Sequence, residues 1–280
     1  MGRVWQCGRL ALGLERPLVM GIVNVTPDSF SDGGEHATAD AAVEHGLRLV
    51  SEGADVLDVG GESTRPGADE VPPDVEAERV LPVVERLARD AGVPVSIDTR
   101  HARVAEAAIA AGASIVNDVA GFRDPAMAGV AARSDAGLVV MHMLGEPKSM
   151  QVQPYYDDVV SEVRAFLSQQ ADTLIAAGVA RSRICVDPGI GFGKTLDHNL
   201  ELLRALPKLA SLGFPVLVGA SRKRMIGDIT GEADPKRRLG GSVGVALWAA
   251  ARGARVLRVH DVRETVQALA VWRALEGEAT

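Results

Sequence analysis

A recurrence constrains what this chain can fold into more than any single motif does. A short apolar run rich in Val and Ile leads into a polar or glycine-rich turn, then into an amphipathic, Ala-rich segment. The unit occurs eight times, with apolar runs at 18–25, 55–61, 94–99, 114–119, 137–143, 184–189, 215–221 and 255–260. The runs are apolar on both faces, as parallel strands covered on both sides must be. Between them, the segments 39–52, 74–90, 102–111, 125–134, 157–177, 197–211, 235–251 and 261–275 carry apolar residues at helical spacing. Six junctions hold a glycine just before the next run: Gly53, Gly92, Gly112, Gly178, Gly213 and Gly253. A left-handed glycine is the usual stop at a helix C-terminus. Strict alternation of strand and helix implies a parallel sheet. Eight units in 280 residues fit a closed (β/α)8 TIM barrel, for which about 250 residues is typical. Residues 1–17, with turn signals at Gly8 and Gly13, read as a hairpin capping the bottom of the barrel. Residues 18–280 read as the barrel itself, with no Pro/Ser-rich linker to divide them.

Charge and cysteine usage narrow the class. Asp and Glu number 37 against 30 Lys and Arg, a net charge of -7. That balance excludes a general nucleic-acid binder but leaves room for a local basic pocket. Cys7 and Cys185 form no CxxC pair, which fits a reducing cytoplasm better than a disulfide framework. No stretch offers the ~20 uninterrupted apolar residues of a membrane span. Arg3, Arg9 and Arg16 interrupt any signal-peptide core. The expected location is the cytoplasm, with no membrane partner.

In a barrel of this kind the strand C-termini and the loops after them form the active site. Here those positions carry Asn24, the string Glu62-Ser63-Thr64-Arg65, Asp98, Asn117-Asp118, His142, Asp187, Ser221-Arg222-Lys223-Arg224, Arg258 and His260. Any one strand-end Asp is as readily a helix cap as a ligand. Asp118, Asp124 and Asp261 are assigned to caps or loop structure, and His142, between two methionines, to a packed wall. A full ring of polar ends is different, because each costs several kcal/mol if buried unpaired on hydrocarbon scales. The string DPGIGFGKT is not a phosphate loop, since Pro188 stands where its first glycine belongs, and Lys194 breaks the dinucleotide fingerprint. Neither HExxH nor HxH occurs, so a zinc hydrolase has no ligand set.

The remaining residues suit a flat, nitrogen-rich ring with a phosphate tail. Asp98 and Asp187 offer carboxylates to ring N–H and amine groups. Asn117 can donate and accept together, and Lys223 can meet a ring carbonyl. Arg258 can stack its guanidinium on a ring face. Arg65, Arg222 and His260 are left for oxyanions.

Seven strings occur in order across nearly the whole chain: GIVNVTPDSFSDGG (21–34), GADVLDVGGESTRPG (53–67), SIDT (96–99), VNDV (116–119), DPGIGFGKT (187–195), GASRKRMIG (219–227) and RVHDV (258–262). Together they resemble the dihydropteroate synthases of bacterial folate synthesis. The resemblance implies a transferase joining 6-hydroxymethyl-7,8-dihydropterin pyrophosphate to p-aminobenzoate. It implies that Asp98, Asn117, Asp187 and Lys223 hold the pterin, with Arg258 over it. Asp98, Lys223 and Arg258 are then the catalytic candidates. Asn24 would contact Mg2+, with Thr64, Arg258 and His260 near the pyrophosphate. Phe30, Thr64, Arg65, Pro66, Phe192 and Ser221 would border the p-aminobenzoate, and the loops 26–36 and 62–71 would close over the site. A homodimer is implied as well. Two alternatives share the barrel. A pterin-dependent methyltransferase would not need NVTPDSFSDGG, and an inactive paralogue would have lost GESTRP, SRKR or RVH; all four strings are present.

Overall fold

A computed structural model of the chain describes residues 4–26, 35–62, 70–145, 150 and 153–277. Eight parallel strands close on themselves in the order β10-β3-β4-β5-β6-β7-β8-β9. They are β3 (Leu18–Asn24), β4 (Val56–Gly60), β5 (Val95–Asp98), β6 (Ile115–Asp118), β7 (Gly137–Met141), β8 (Ile184–Asp187), β9 (Val216–Val218) and β10 (Ala254–Val259). Each lies inside, or within a residue of, an apolar run of the sequence. The chain is therefore the (β/α)8 barrel that the alternation implied.

Around the strands lie α1 (Glu35–Ser51), α2 (Pro73–Asp90), α3 (Ala102–Ala110), α4 (Pro125–Arg133), α5 (Val159–Ala176), α6 (Leu196–Arg204), α7 (Leu206–Ala210), α8 (Arg224–Thr230), α9 (Leu239–Ala251) and α10 (Val262–Leu275). The six junction glycines all adopt positive φ, between 69° and 110°. Asp124 caps α4 by accepting from the Ala126 N–H, as expected. The segment 197–211 is two helices rather than one. Pro207 has no N–H to continue the ladder, and the chain breaks at Ala205. The segment 235–251 opens with a tight turn at Pro235–Arg237 before α9 begins. Helix α8 was not foreseen.

Two strands precede the barrel. β1 (Val4–Cys7) and β2 (Leu10–Gly13) pair antiparallel as a hairpin. Trp5 and Cys7 bury completely against Leu18, Met20, Val56, Ile115, Val139, Cys185, Leu217 and Val256, so the hairpin and the lower half of the strands share one apolar core. The Trp5 indole N–H donates to the Arg183 carbonyl at 2.9 Å, and Arg183 donates to the Ala136 and Ala131 carbonyls. With its lower end plugged in this way, the barrel has one open end for chemistry. Trp5→Ala is expected to cost about 3–5 kcal/mol, a melting point lower by roughly 10 °C. Thermal unfolding by circular dichroism checks it; an unaltered melting point would mean the hairpin does not plug the barrel.

Candidate active site

Parallel register sets the polar residues at one end. Asn24 stands opposite Gly60, Gly60 opposite Asp98, and Asp98 opposite Asn117. Met141 of β7 stands opposite Asp187 of β8.

The centre of the mouth is an ion network that crosses the barrel. Arg258, near the end of β10, donates from Nε to Asp58 Oδ2 at 2.5 Å and from a terminal nitrogen to Asp98 Oδ2 at 2.7 Å. Asn117 donates its Nδ2–H to the same Asp58 oxygen at 3.1 Å. Asp58 is completely buried, and among the described residues its Oδ1 has no hydrogen-bond partner. Burial pushes the Asp98 carboxyl up; Arg258 draws it back and Asp58 opposes Arg258. Burial disfavours the Arg258 charge, but Asp58 and Asp98 together hold it well above its ordinary value. Two carboxylates thus share one guanidinium.

Asp187 and Lys223 face each other's field on another side of the mouth. Burial raises the Asp187 carboxyl, and the Gly189 N–H, donating to its Oδ1 at 2.7 Å, works against that rise. Only glycine fits at 189: its φ is 67°, and a methyl would run into the His142 carbonyl. Burial lowers the Lys223 ammonium, and Asp187 works to keep it charged. The Lys223 Nζ lies 3.8 Å from the centre of the Phe192 ring. Phe192 packs against an apolar group of Val119, Met141, Met143 and Met150. This part of the mouth can grip a flat ring between an apolar wall and polar edges.

Ser221 and His260 form the rim after β9 and β10. The Ser221 Oγ accepts from the His260 backbone N–H at 3.2 Å and lies 3.0 Å from His260 Nδ1. Burial, with Arg222 and Arg258 nearby, lowers His260 to about 3. It is a neutral hydrogen-bonding ring, not the cation assigned to oxyanions from sequence. Arg222 departs from expectation too: both ends of its guanidinium are taken by Asp261. Asp261 consequently makes no side-chain cap for α10. Asp118 does serve loop structure, accepting from the Ala120 and Phe122 N–H groups.

His142 is buried and meets Phe166 edge to face, as a wall residue should, but it has a charged neighbour. Lys194 Nζ sits 3.0 Å from His142 Nδ1 and 2.9 Å from the Phe192 carbonyl. Burial lowers that lysine to about 7. Neither Lys194 nor Asp58 is among the site residues that the sequence singles out. Asp58 does carry a signal: it is an acid in the middle of an apolar run that must be buried on both faces. Asn24 ends β3 half-buried. Phe30, Thr64, Arg65 and Pro66, and most of the two loops expected to close over the site, lie outside the described residues.

Comparison with known proteins matches the same features. A family model described as "Pterin binding enzyme" matches residues 20–260. The chain is 53% identical to a dihydropteroate synthase of Neisseria meningitidis serogroup C over 276 residues, 97% of each chain. A Xanthomonas albilineans dihydropteroate synthase solved with 4-aminobenzoic acid superposes with a TM-score of 0.94 at 51% identity, covering 100% of both chains. A Burkholderia cenocepacia dihydropteroate synthase complexed with 7,8-dihydropteroate gives a TM-score of 0.90 at 50% identity, over 99% of this chain and 97% of that one.

Proposed function

The chain belongs to the dihydropteroate synthases, transferases of folate biosynthesis, and on that premise we propose how its residues divide the work. The reaction joins 6-hydroxymethyl-7,8-dihydropterin pyrophosphate to p-aminobenzoate and yields 7,8-dihydropteroate and pyrophosphate. Asp98, Asn117 and Asp187 take the N–H and amine edges of the pterin, Lys223 its carbonyl oxygen, and Arg258 one ring face. The observation that carries this reading is the network around Arg258, which draws Asp58, Asp98 and Asn117 from three strands to one point. Ser221 and Phe192 border the p-aminobenzoate, and His260 offers a neutral N–H toward the pyrophosphate. The roles of Phe30, Thr64, Arg65 and Pro66 rest on the resemblance of their motifs.

The bond from the pterin methylene to the pyrophosphate oxygen breaks first, and the amine nitrogen then bonds to the same carbon and loses a proton. The positive charge left on the methylene spreads into the electron-rich dihydropterin. Asp98 holds that charge electrostatically, so no protein nucleophile is required. By the resemblance of their motifs, the loops 26–36 and 62–71 would close over the site and exclude water that would otherwise trap the cation.

No cluster of three His, Cys, Asp or Glu side chains able to hold a metal stands among the described residues. Mg2+ bound chiefly through substrate phosphates and water needs only one or two protein oxygens, and the half-buried Asn24 amide at the strand end fits that need. When bound, Mg2+ supplies positive charge against the leaving phosphate oxygens. Asn24→Ala is expected to raise the Mg2+ concentration for half-maximal turnover roughly tenfold, the worth of one polar contact. Affinity for 6-hydroxymethylpterin, which carries no phosphate, should not change; an unaltered Mg2+ dependence would remove Asn24 from the role.

We take residues 1–17 as a cap on a single pterin-binding barrel, 18–280. We also propose that two copies associate through the late helices, where Trp248, Val271 and Leu275 are exposed. A cytoplasmic site suits the two buried free thiols, Cys7 and Cys185. The test of function is pyrophosphate release from dihydropterin pyrophosphate with Mg2+, with and without p-aminobenzoate. Amine-dependent release with dihydropteroate formed is expected. Tight pterin binding without turnover would favour an inactive paralogue or a methyltransferase.

A further inference from the structure

We infer that Asp58 is a positioning residue that sets which way Asn117 reads the pterin, and so sets the preference for a 2-amino over a 2-oxo ring. The inference rests on the assignment of Asn117 to the pterin. Asp58 lies two residues short of the end of β4, beneath the groups that face the mouth, and is completely buried. Its Oδ2 receives hydrogen bonds from Asn117 at 3.1 Å and from Arg258 at 2.5 Å. It lies below the mouth, and both bonds to its Oδ2 come from residues of the site.

An asparagine amide can turn over, exchanging its donor and acceptor ends at little cost when its surroundings allow either. A carboxylate allows only one, because when ionised it accepts and never donates. Asn117 must therefore turn its nitrogen to Asp58 and keep its oxygen away. The flipped amide would set two acceptors against each other in a buried place, where unpaired polar groups are costly. The oxygen and the second N–H of Asn117 are what remain for a ligand. That pair accepts from an exocyclic amine beside a ring nitrogen and repels a carbonyl in the amine's place.

Arg258 strengthens the arrangement. Its guanidinium binds the same Asp58 oxygen. Asp58 in return takes part of the Arg258 charge, leaving the Asp98 carboxylate less committed to it.

Replacing Asp58 by leucine keeps the bulk and removes the acceptor, so the Asn117 amide can turn either way; asparagine would not serve, because Arg258 donates to the same Oδ2 and would hold an amide oxygen there. The test compares dissociation constants, by calorimetry, for 6-hydroxymethylpterin and 6-hydroxymethyllumazine, in which a carbonyl replaces the 2-amino group. In Asp58→Leu the preference for the pterin should fall at least about tenfold, because a site built for one hydrogen-bonding pattern discriminates through its fixed partners. Asp58→Ala also removes the acceptor and should shift the ratio the same way, which keeps the inference testable should the leucine variant not fold. In an Asn117→Ala background, Asp58→Leu should leave the ratio unchanged. A merely structural role would lower both affinities together. An unchanged ratio in Asp58→Leu and Asp58→Ala, or an equal shift with Asn117 absent, overturns the inference. Unchanged pterin affinity in Asn117→Ala alone would instead remove Asn117 from the pterin, a separate failure.

Discussion

Replacing Asp187 with alanine is expected to weaken pterin binding on the order of 10²- to 10³-fold. The side chain is buried at the end of β8, and its Oδ1 accepts from the Gly189 N–H. Among the described residues nothing donates to Oδ2, which leaves that oxygen for a ligand. Two charge-assisted bonds to the pterin are worth about 1.5–3 kcal/mol each. Part of the loss is returned, since removing a carboxylate that burial already disfavours relieves strain in the ligand-free chain. Lys223 pulls the other way: without Asp187 its ammonium loses the neighbour that favours its charge. Calorimetry with 6-hydroxymethylpterin gives the constant directly. Asp187→Asn separates ligand from loop, because the amide oxygen still accepts from Gly189. It should lose nearly as much affinity as alanine while keeping the loop. Unchanged affinity in both variants would take Asp187 out of the pterin site.

The barrel was legible because its cause is local and repeated. A buried parallel strand must be apolar on both faces, and each helix needs a stop. Val and Ile in eight runs and Gly53, Gly92, Gly112, Gly178, Gly213 and Gly253 at the junctions record both demands. The rim was legible for a related reason: charged residues directly after apolar runs are conspicuous. What escaped was pairing across the barrel. Nothing in the spacing of Asp58 and Arg258 announces a bond spanning 200 residues. The same blindness left Arg222 free on paper, although Asp261 neutralises it across 39 residues. Lys194 escaped because a lysine in a glycine-rich string looks exposed, whereas here it is turned inward onto His142. Helix α8 escaped because its seven residues, Arg224–Thr230, are too few to show a period.

Those hidden pairs decide how the mouth handles charge. An unpaired Arg258 would place a full positive charge beside a carbon that must itself become positive. Asp58 and Asp98 divide that guanidinium between them, so it can bind the ring without opposing the chemistry. The two carboxylates share only one cation, and burial raises Asp98 to about 7, so the excess negative charge is available to the reaction once that carboxyl is ionised.

Asp98→Asn tests that excess. The variant keeps the shape of the residue at the end of β5 and removes its charge. A unit charge about 5 Å from a developing cation, at an effective dielectric near 20, is worth roughly 3 kcal/mol, or on the order of 10²-fold in rate. Arg258 adds to the effect, because its bond to Asp98 would now be to a neutral group and its charge would be balanced by Asp58 alone. The expected result is a kcat lower by about 10²-fold, with ground-state pterin affinity falling by less than about tenfold, the mark of an interaction realised mainly in the transition state. Single-turnover measurements at saturating p-aminobenzoate separate the chemical step from product release. Equal loss in binding and in the chemical step would make Asp98 a recognition group like Asp187. A change in KM alone would leave the methylene cation without a stabilising carboxylate in this barrel and would move the reaction toward direct displacement by the amine.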